Sequence, residues 1–155
     1  IADLIEYLSL ENDNAPLAIY NASFDLTILD RELRRCGDDL LETPKVIDPL
    51  VIDRAIDKWR KGSRKQVDVA RHYGIEVDES KAHDAAYDCY LVGQIAFKVL
   101  EKWERGVGFK DTQKQQADWF KAWADNFEQY KRRQGETDFT ISKEWPMRKY
   151  KGEEN

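Results

Sequence analysis

Residues 16–25 read PLAIYNASFD, and the change of character inside them decides the fold class. Leu17 to Tyr20 is a short apolar run, preceded by the turn cluster Asn12-Asp13-Asn14 and ended by Asn21, the pattern of a buried strand. The period then changes. Ile28, Leu29 and Leu33 fall on one helical face that stops before Gly37, a residue type that tolerates the left-handed turn closing a helix. Strand, sharp turn and helix make an α/β unit. The unit recurs downstream, where Lys45-Val-Ile-Asp48 reads as a second short strand and Leu50, Val51, Ala55 and Ile56 as one face of the helix after it.

Upstream of this unit, Ile1, Leu4, Ile5 and Leu8 recur at helical spacing with no capping residue ahead of them. Downstream, residues 58–65, KWRKGSRK, hold basic residues and no acidic one. Val67, Val69, Ala70 and Tyr73 then predict a helix ending at Gly74, and a long helix follows from Lys81 toward Trp103 with Tyr87, Leu91, Ile95 and Val99 on its buried stripe. After Gly106-Val-Gly108 comes a helix from about Asp111 to Arg133, on which Phe120, Trp123, Phe127 and Tyr130 form a seam suited to a core or an interface. The remainder, with Trp145-Pro146 set among Lys143, Arg148, Lys149 and Lys151, reads as an extended basic arm. We therefore divide the chain into residues 1–105 and a helical extension with basic tail, 106–155.

At 155 residues with 41% apolar content the chain is long enough for one core and too apolar to be disordered. No run approaches the length of a membrane span, and the first residues carry no signal-peptide pattern. Cys36 and Cys89 form neither a disulfide framework nor a zinc spacing, which fits reduced thiols in a cytoplasmic protein. A net charge of −5 gives no global attraction to a polyanion, so any nucleic-acid contact must be local.

Two motifs could carry chemistry. Asn21-Ala-Ser-Phe-Asp25 sits where a strand gives way to a helix, and ligands of α/β sheets gather at the carboxyl ends of strands. The same letters also suit a plain helix start, with Asn21 or Ser23 capping and Asp25 at the positive end of the helix. In His83-Asp-Ala-Ala-Tyr-Asp88, a spacing of five keeps His83 and Asp88 off one helical face and makes them poor co-ligands of one ion. Separate roles suit them: a carboxylate one turn inside the helix can hold a divalent cation while an imidazole ahead of it reaches the bound water. The plain alternative is a capping Asp84 and a solvated carboxylate.

Taken together, these residues resemble the DEDDh exonucleases, a 3′-5′ exonuclease superfamily with a ribonuclease H-like fold that includes the epsilon proofreading subunit of DNA polymerase III. Asn21, Phe24 and Asp25 match its second motif, and His83, Ala85 and Asp88 its third, His-x-Ala-x-x-Asp. Asp48-Pro-Leu, Ser63-Arg-Lys and His72-Tyr-Gly-Ile75 are similar to the intervening helices. The resemblance implies that Asp25 and Asp88 help bind two divalent cations, Mg²⁺ or Mn²⁺, and that His83 deprotonates the attacking water. It implies a nucleic acid with a 3′ end as substrate, single-stranded DNA being the expected form although no motif here separates DNA from RNA, and the aromatic helix could seat a polymerase or a second copy of the chain. A carboxylate-rich, cysteine-poor site suits Mg²⁺ or Mn²⁺ better than zinc. Asn21, Phe24, Arg60, Lys61, Arg64 and Lys65 are the candidate substrate contacts, with Trp59 able to stack a base.

The first motif of that superfamily, Asp-x-Glu on a strand, is not among these letters in the right place. Asp30-Arg-Glu32 lies in the second predicted helix, where residues two apart point about 200° from each other, so we read both as a solvated helix surface. The expected fold is thus a ribonuclease H-like α/β exonuclease fold, N-terminally incomplete, with a C-terminal helical extension. Two short strands alone would leave a sheet edge exposed, which predicts poor solubility or dimerisation. Two other readings stand beside the enzyme. One is an exonuclease-like module that binds or assembles without catalysis; the other centres on His83-Asp84 as an HD-type phosphohydrolase, which requires an all-helical domain with more histidine ligands than His72 can supply.

Overall fold

The computed structural model describes residues 16–37, 44–81, 84–103 and 109–150. Strand β1, Leu17–Ala18, leads through Asn21 into helix α1, Ala22–Cys36; β2, Val46–Ile47, leads through Asp48 into α2, Pro49–Ile56. Helices α3, Gln66–His72, α4, Ala85–Lys102, and α5, Phe109–Arg133, complete the order, with a 3₁₀ turn at Glu79–Lys81 before α4. The strands are parallel, with Leu17 opposite Val46 and Ala18 opposite Ile47. The described chain is a mixed α/β fold, mostly helical around a small parallel sheet, with both strands where the sequence predicts them. The opening helix predicted at Ile1 to Leu8 and the turn around Gly106 lie outside the described residues.

Alternation along β2 separates two cores, because successive side chains of a strand point to opposite faces. Val46 packs with Ala22 and Leu26 of α1, joined by Ile19, Trp145 and Met147. Ile47, its neighbour, faces Ile52, Val69, Leu91, Ile95 and Val99 of α2, α3 and α4. The predicted stripe of α4 is buried from Leu91 to Val99, with Tyr87 half-buried at its start. Covering both faces is the usual arrangement for parallel strands.

The edge of β2 turned away from β1 is closed by side chains. The Val46 N–H donates to Gln113 Oε1 at 2.9 Å, and Gln113 Nε2 donates back to the Val46 carbonyl at 2.6 Å. One turn further along α5, Gln116 Oε1 accepts from the Asp48 N–H at 2.7 Å while its Nε2 donates to the Val46 carbonyl at 2.9 Å. Gln116 is fully buried. A primary amide offers the donor and acceptor of a peptide group, so this edge is paired by α5, while the outer edge of β1 has no strand beside it among the described residues. Replacing Gln116 with Leu strands the buried Asp48 N–H, and chemical denaturation should register a loss of about 1–3 kcal/mol.

Helix α1 turns a different face inward from the one its apolar residues predict. Leu26, Asp30 and Leu33 are buried, whereas Ile28 is 47% exposed. Asp30 therefore does not belong to a solvated surface. Its carboxylate accepts from Arg31 and from Arg34 Nε, and Arg31 in turn donates to the carbonyls of Arg148 and Lys149 at 2.9 and 2.7 Å. Both guanidiniums lie over the Tyr150 ring, within 5 Å of its centroid. An apolar-period reading cannot see this, because the burial of a charge becomes tolerable only once its partners are in place. The basic arm is an extended segment, as predicted, and it is strapped along α1 by these contacts.

Candidate active site

At the carboxyl end of β1 the chain turns through Asn21, which adopts a left-handed conformation with φ 66° and ψ 47°. Asparagine tolerates that region better than most residues. The Asn21 side chain makes no cap hydrogen bond to α1. The cap comes from across the sheet: Asp48 accepts from the Asn21 N–H at 3.0 Å and from the Ala22 N–H at 2.9 Å. The same carboxylate caps its own helix, accepting from Leu50 and Val51 at 3.0 and 3.3 Å, and it takes the Trp145 indole N–H at 3.3 Å. Burial pushes the Asp48 carboxyl above its ordinary range, and these donors pull it back. One buried carboxylate thus fixes the start of both helices that follow the strands.

That cap leaves the next residues free to face outward. Phe24 is 55% exposed, and Asp25, in the first turn of α1, is exposed with no ion-pair partner among the described residues. Partial desolvation nevertheless raises the Asp25 carboxyl above its ordinary value, opposed by its own backbone N–H. Asp88 lies in the first turn of α4, half-buried, behind an Asp84 side chain that caps the helix by accepting from the Tyr87 N–H at 2.9 Å. His83, read from the sequence as the base, lies outside the described residues.

The segment Arg64–Gln66 connects the two motifs. Tyr20, adjacent to Asn21, donates its hydroxyl to the Arg64 carbonyl at 2.6 Å, and Gln66 Nε2 donates to the Asp88 carbonyl at 2.7 Å. Tyr20 and Tyr87 both pack against the core cluster under α4. The residues preceding Asp25 and Asp88 therefore rest on a common support. Among the described residues, no group of three or more His, Cys, Asp or Glu side chains gathers to hold a metal.

The basic run divides in two. Arg60 and Arg64 turn inward, their side chains 11% and 14% exposed, and both donate to the fully buried Asp53. Arg64 also reaches the carbonyls of Asp53 and Asp57, and Tyr73 donates to Asp53 Oδ1 at 2.9 Å. Lys61 and Lys65 stay exposed. Cation spacing alone does not reveal this split, because the anion that claims the arginines lies on α2, several residues upstream. His72 packs, its ring edge-on to Tyr73 and its Nε2 3.3 Å from Asp57. Both cysteines are free and exposed.

Asp48 and Asp53 are the residues that sequence reasoning missed. Asp48 carried a usable signal, since an acidic residue directly before a proline is a common way to open a helix. Asp53 carried none.

Comparison with known proteins adds a finding of family. Searches of characterised proteins and of solved structures returned no match. The RNase T model of exonucleases matches residues 6–96, a span that takes in both strands, Asn21, Asp25 and Asp88 and reaches well into α4. That is more than half of the chain, which therefore belongs to the exonuclease family.

Proposed function

We propose that the chain is a metal-dependent 3′-5′ exonuclease of DEDDh type with a ribonuclease H-like fold. The observation that carries this reading is the Asn21 turn: the Asp25 carboxylate, without an ion-pair partner among the described residues, is presented at the carboxyl end of a parallel strand, behind a turn whose Asn21 and Ala22 N–H groups Asp48 holds. Exonucleases of this family use divalent metal ions in general. The donors present are oxygens, which suits Mg²⁺ or Mn²⁺, and Asp25 and Asp88 would hold them as two members of a larger set. Bound there, such ions would stabilise the attacking and leaving oxygens of an in-line displacement.

The chain's own residues supply the rest. His83, ahead of α4, would accept the proton of the attacking water at an imidazole nitrogen. Phe24, projecting from the first turn of α1, offers a face for the terminal base, and Asn21 positions it through the turn. Lys61 and Lys65 are free to meet phosphates, while Arg60 and Arg64 shape the loop that carries them.

The test compares degradation of single strands labelled at the 5′ or the 3′ end, with and without Mn²⁺. A 5′-labelled strand that shortens stepwise only with the metal supports the reading. Two bound Mn²⁺ ions without hydrolysis would favour a binding module instead. Neutralising Lys61 and Lys65 should flatten the salt dependence of single-strand binding by about 0.7 in slope for each lost phosphate contact. An unchanged slope would make that loop a solvated connector.

A further inference from the structure

A cleft of about 1030 Å³ lies between the loop after α2 and one face of α5. Its lining includes Arg54 and Lys58 on one side and Trp119, Trp123 and Phe127 on the other, with Trp59 at the rim. The aromatic seam predicted to be buried is only partly so. Phe120 is 4% exposed, but the rings of Trp123 and Phe127, stacked at 5.4 Å, come out into this cleft. Trp59 is 86% exposed, with Lys58 Nζ 5.3 Å from its ring centroid.

The charge of the cleft is one-sided. Among the described residues, four cations and no carboxylate line it. Arg60 and Arg64 are claimed from behind by Asp53, but Arg54 makes no hydrogen bond or ion pair among the described residues. Its guanidinium is stacked 3.8 Å from the Trp123 ring centroid. A half-buried guanidinium lying over an indole, with no anion bonded to it among the described residues, is a ready partner for a phosphate. Alternation of exposed rings and unpaired cations is the composition of sites that take unpaired bases on flat faces and the backbone on charge. An apolar partner helix would leave Arg54 and Lys58 desolvated and unmatched.

We propose that this cleft binds single-stranded nucleic acid, with bases stacked on Trp59 and on the Trp123–Phe127 face and phosphates drawn to Arg54 and Lys58. The proposal rests on the nuclease reading only for its substrate: the cleft would hold a length of strand away from Asp25 and Asp88, so that a substrate longer than the reacting end binds more tightly than the end alone.

The experiment measures binding of fluorescein-labelled oligothymidylate, and of oligouridylate in a parallel arm, about 10 nucleotides long as single-strand sites commonly span. EDTA is present, so that no metal-dependent hydrolysis occurs. Trp59→Ala should raise Kd roughly 5- to 150-fold, the effect of one lost base stack, and reduce the quenching of tryptophan emission by the oligonucleotide. Because Trp59 is so exposed, its removal leaves the packing intact. Arg54→Gln with Lys58→Gln should lower the salt slope by about 1.4. Unchanged affinity and slope in these variants overturn the proposal, as does a parent chain that sediments as a dimer and becomes a monomer on Trp59→Ala with oligonucleotide binding unaltered. Weakened binding in the variants, together with no Mn²⁺-dependent degradation by the parent, would remove the nuclease reading and leave the cleft. Degradation with EDTA binding untouched by the variants would do the reverse.

Discussion

The His83→Ala chain is expected to hydrolyse a single strand about 10²–10⁴ times more slowly than the parent while binding Mn²⁺ equally well, since a general base contributes to the rate and not to the metal. Asp25→Ala should lose both. The pair of variants separates the two roles assigned to the motifs, because Asp25 would hold the ion directly and His83 would only move a proton. Single-turnover hydrolysis gives the first quantity and calorimetric titration of Mn²⁺ the second. Equal rates for His83→Ala and the parent would remove His83 from the mechanism, and undiminished Mn²⁺ affinity in Asp25→Ala would remove Asp25 from the metal site.

A second large effect is expected on stability. Asp53 is fully buried and receives Arg60, Arg64 and Tyr73. Asp53→Ala leaves two nearly buried guanidiniums with their main anion gone, and breaking a buried pair in this way typically costs about 3–5 kcal/mol. At about 2–4 °C per kcal/mol for a chain of this size, the melting temperature should fall visibly. Apolar replacement of all three, Asp53→Leu with Arg60→Met and Arg64→Met, should recover much of the loss, because the most deeply buried charges are then gone and Asp57 is partly exposed and still beside His72. Lys61→Ala is the control in the same loop, and its stability should match the parent. If Asp53→Ala unfolds at the parent's denaturant midpoint, the arginines are solvated and free to serve a substrate.

Local patterns made much of this legible. The apolar runs at Leu17 and Val46 marked both strands, since a short buried strand needs little beyond apolar side chains and a turn at each end. The stripe Leu91, Ile95 and Val99 located α4, and Asp84 was available as its cap. What stayed hidden were interactions between residues far apart in sequence. Asp30 looked like surface because the arm that covers its helix partners Arg31 and Arg34 with the Tyr150 ring reaches α1 only in the folded chain. Arg60 and Arg64 looked like phosphate ligands because nothing within their own run says that an aspartate on α2 claims them. At the site, Asp25 could be named from its motif. The carboxylate of Asp48, which holds the turn beneath it, could be recognised as a hub only once β1 and β2 were adjacent.

The amides of Gln113 and Gln116 bear on where this protein can be divided. Residues 1–105 hold every position matched to the exonuclease motifs, and a truncation after Arg105 would keep all of them. Yet such a cut would take away the groups that satisfy the Val46 and Asp48 backbone, and with them the Trp145 indole that reaches the Asp48 carboxylate. Val46 and Asp48 would then present bare N–H and C=O groups along a strand, a template for another strand to join. The shortest piece that carries the motifs and the shortest piece that keeps this edge paired are thus different lengths, and the second extends through α5 to the arm that crosses α1.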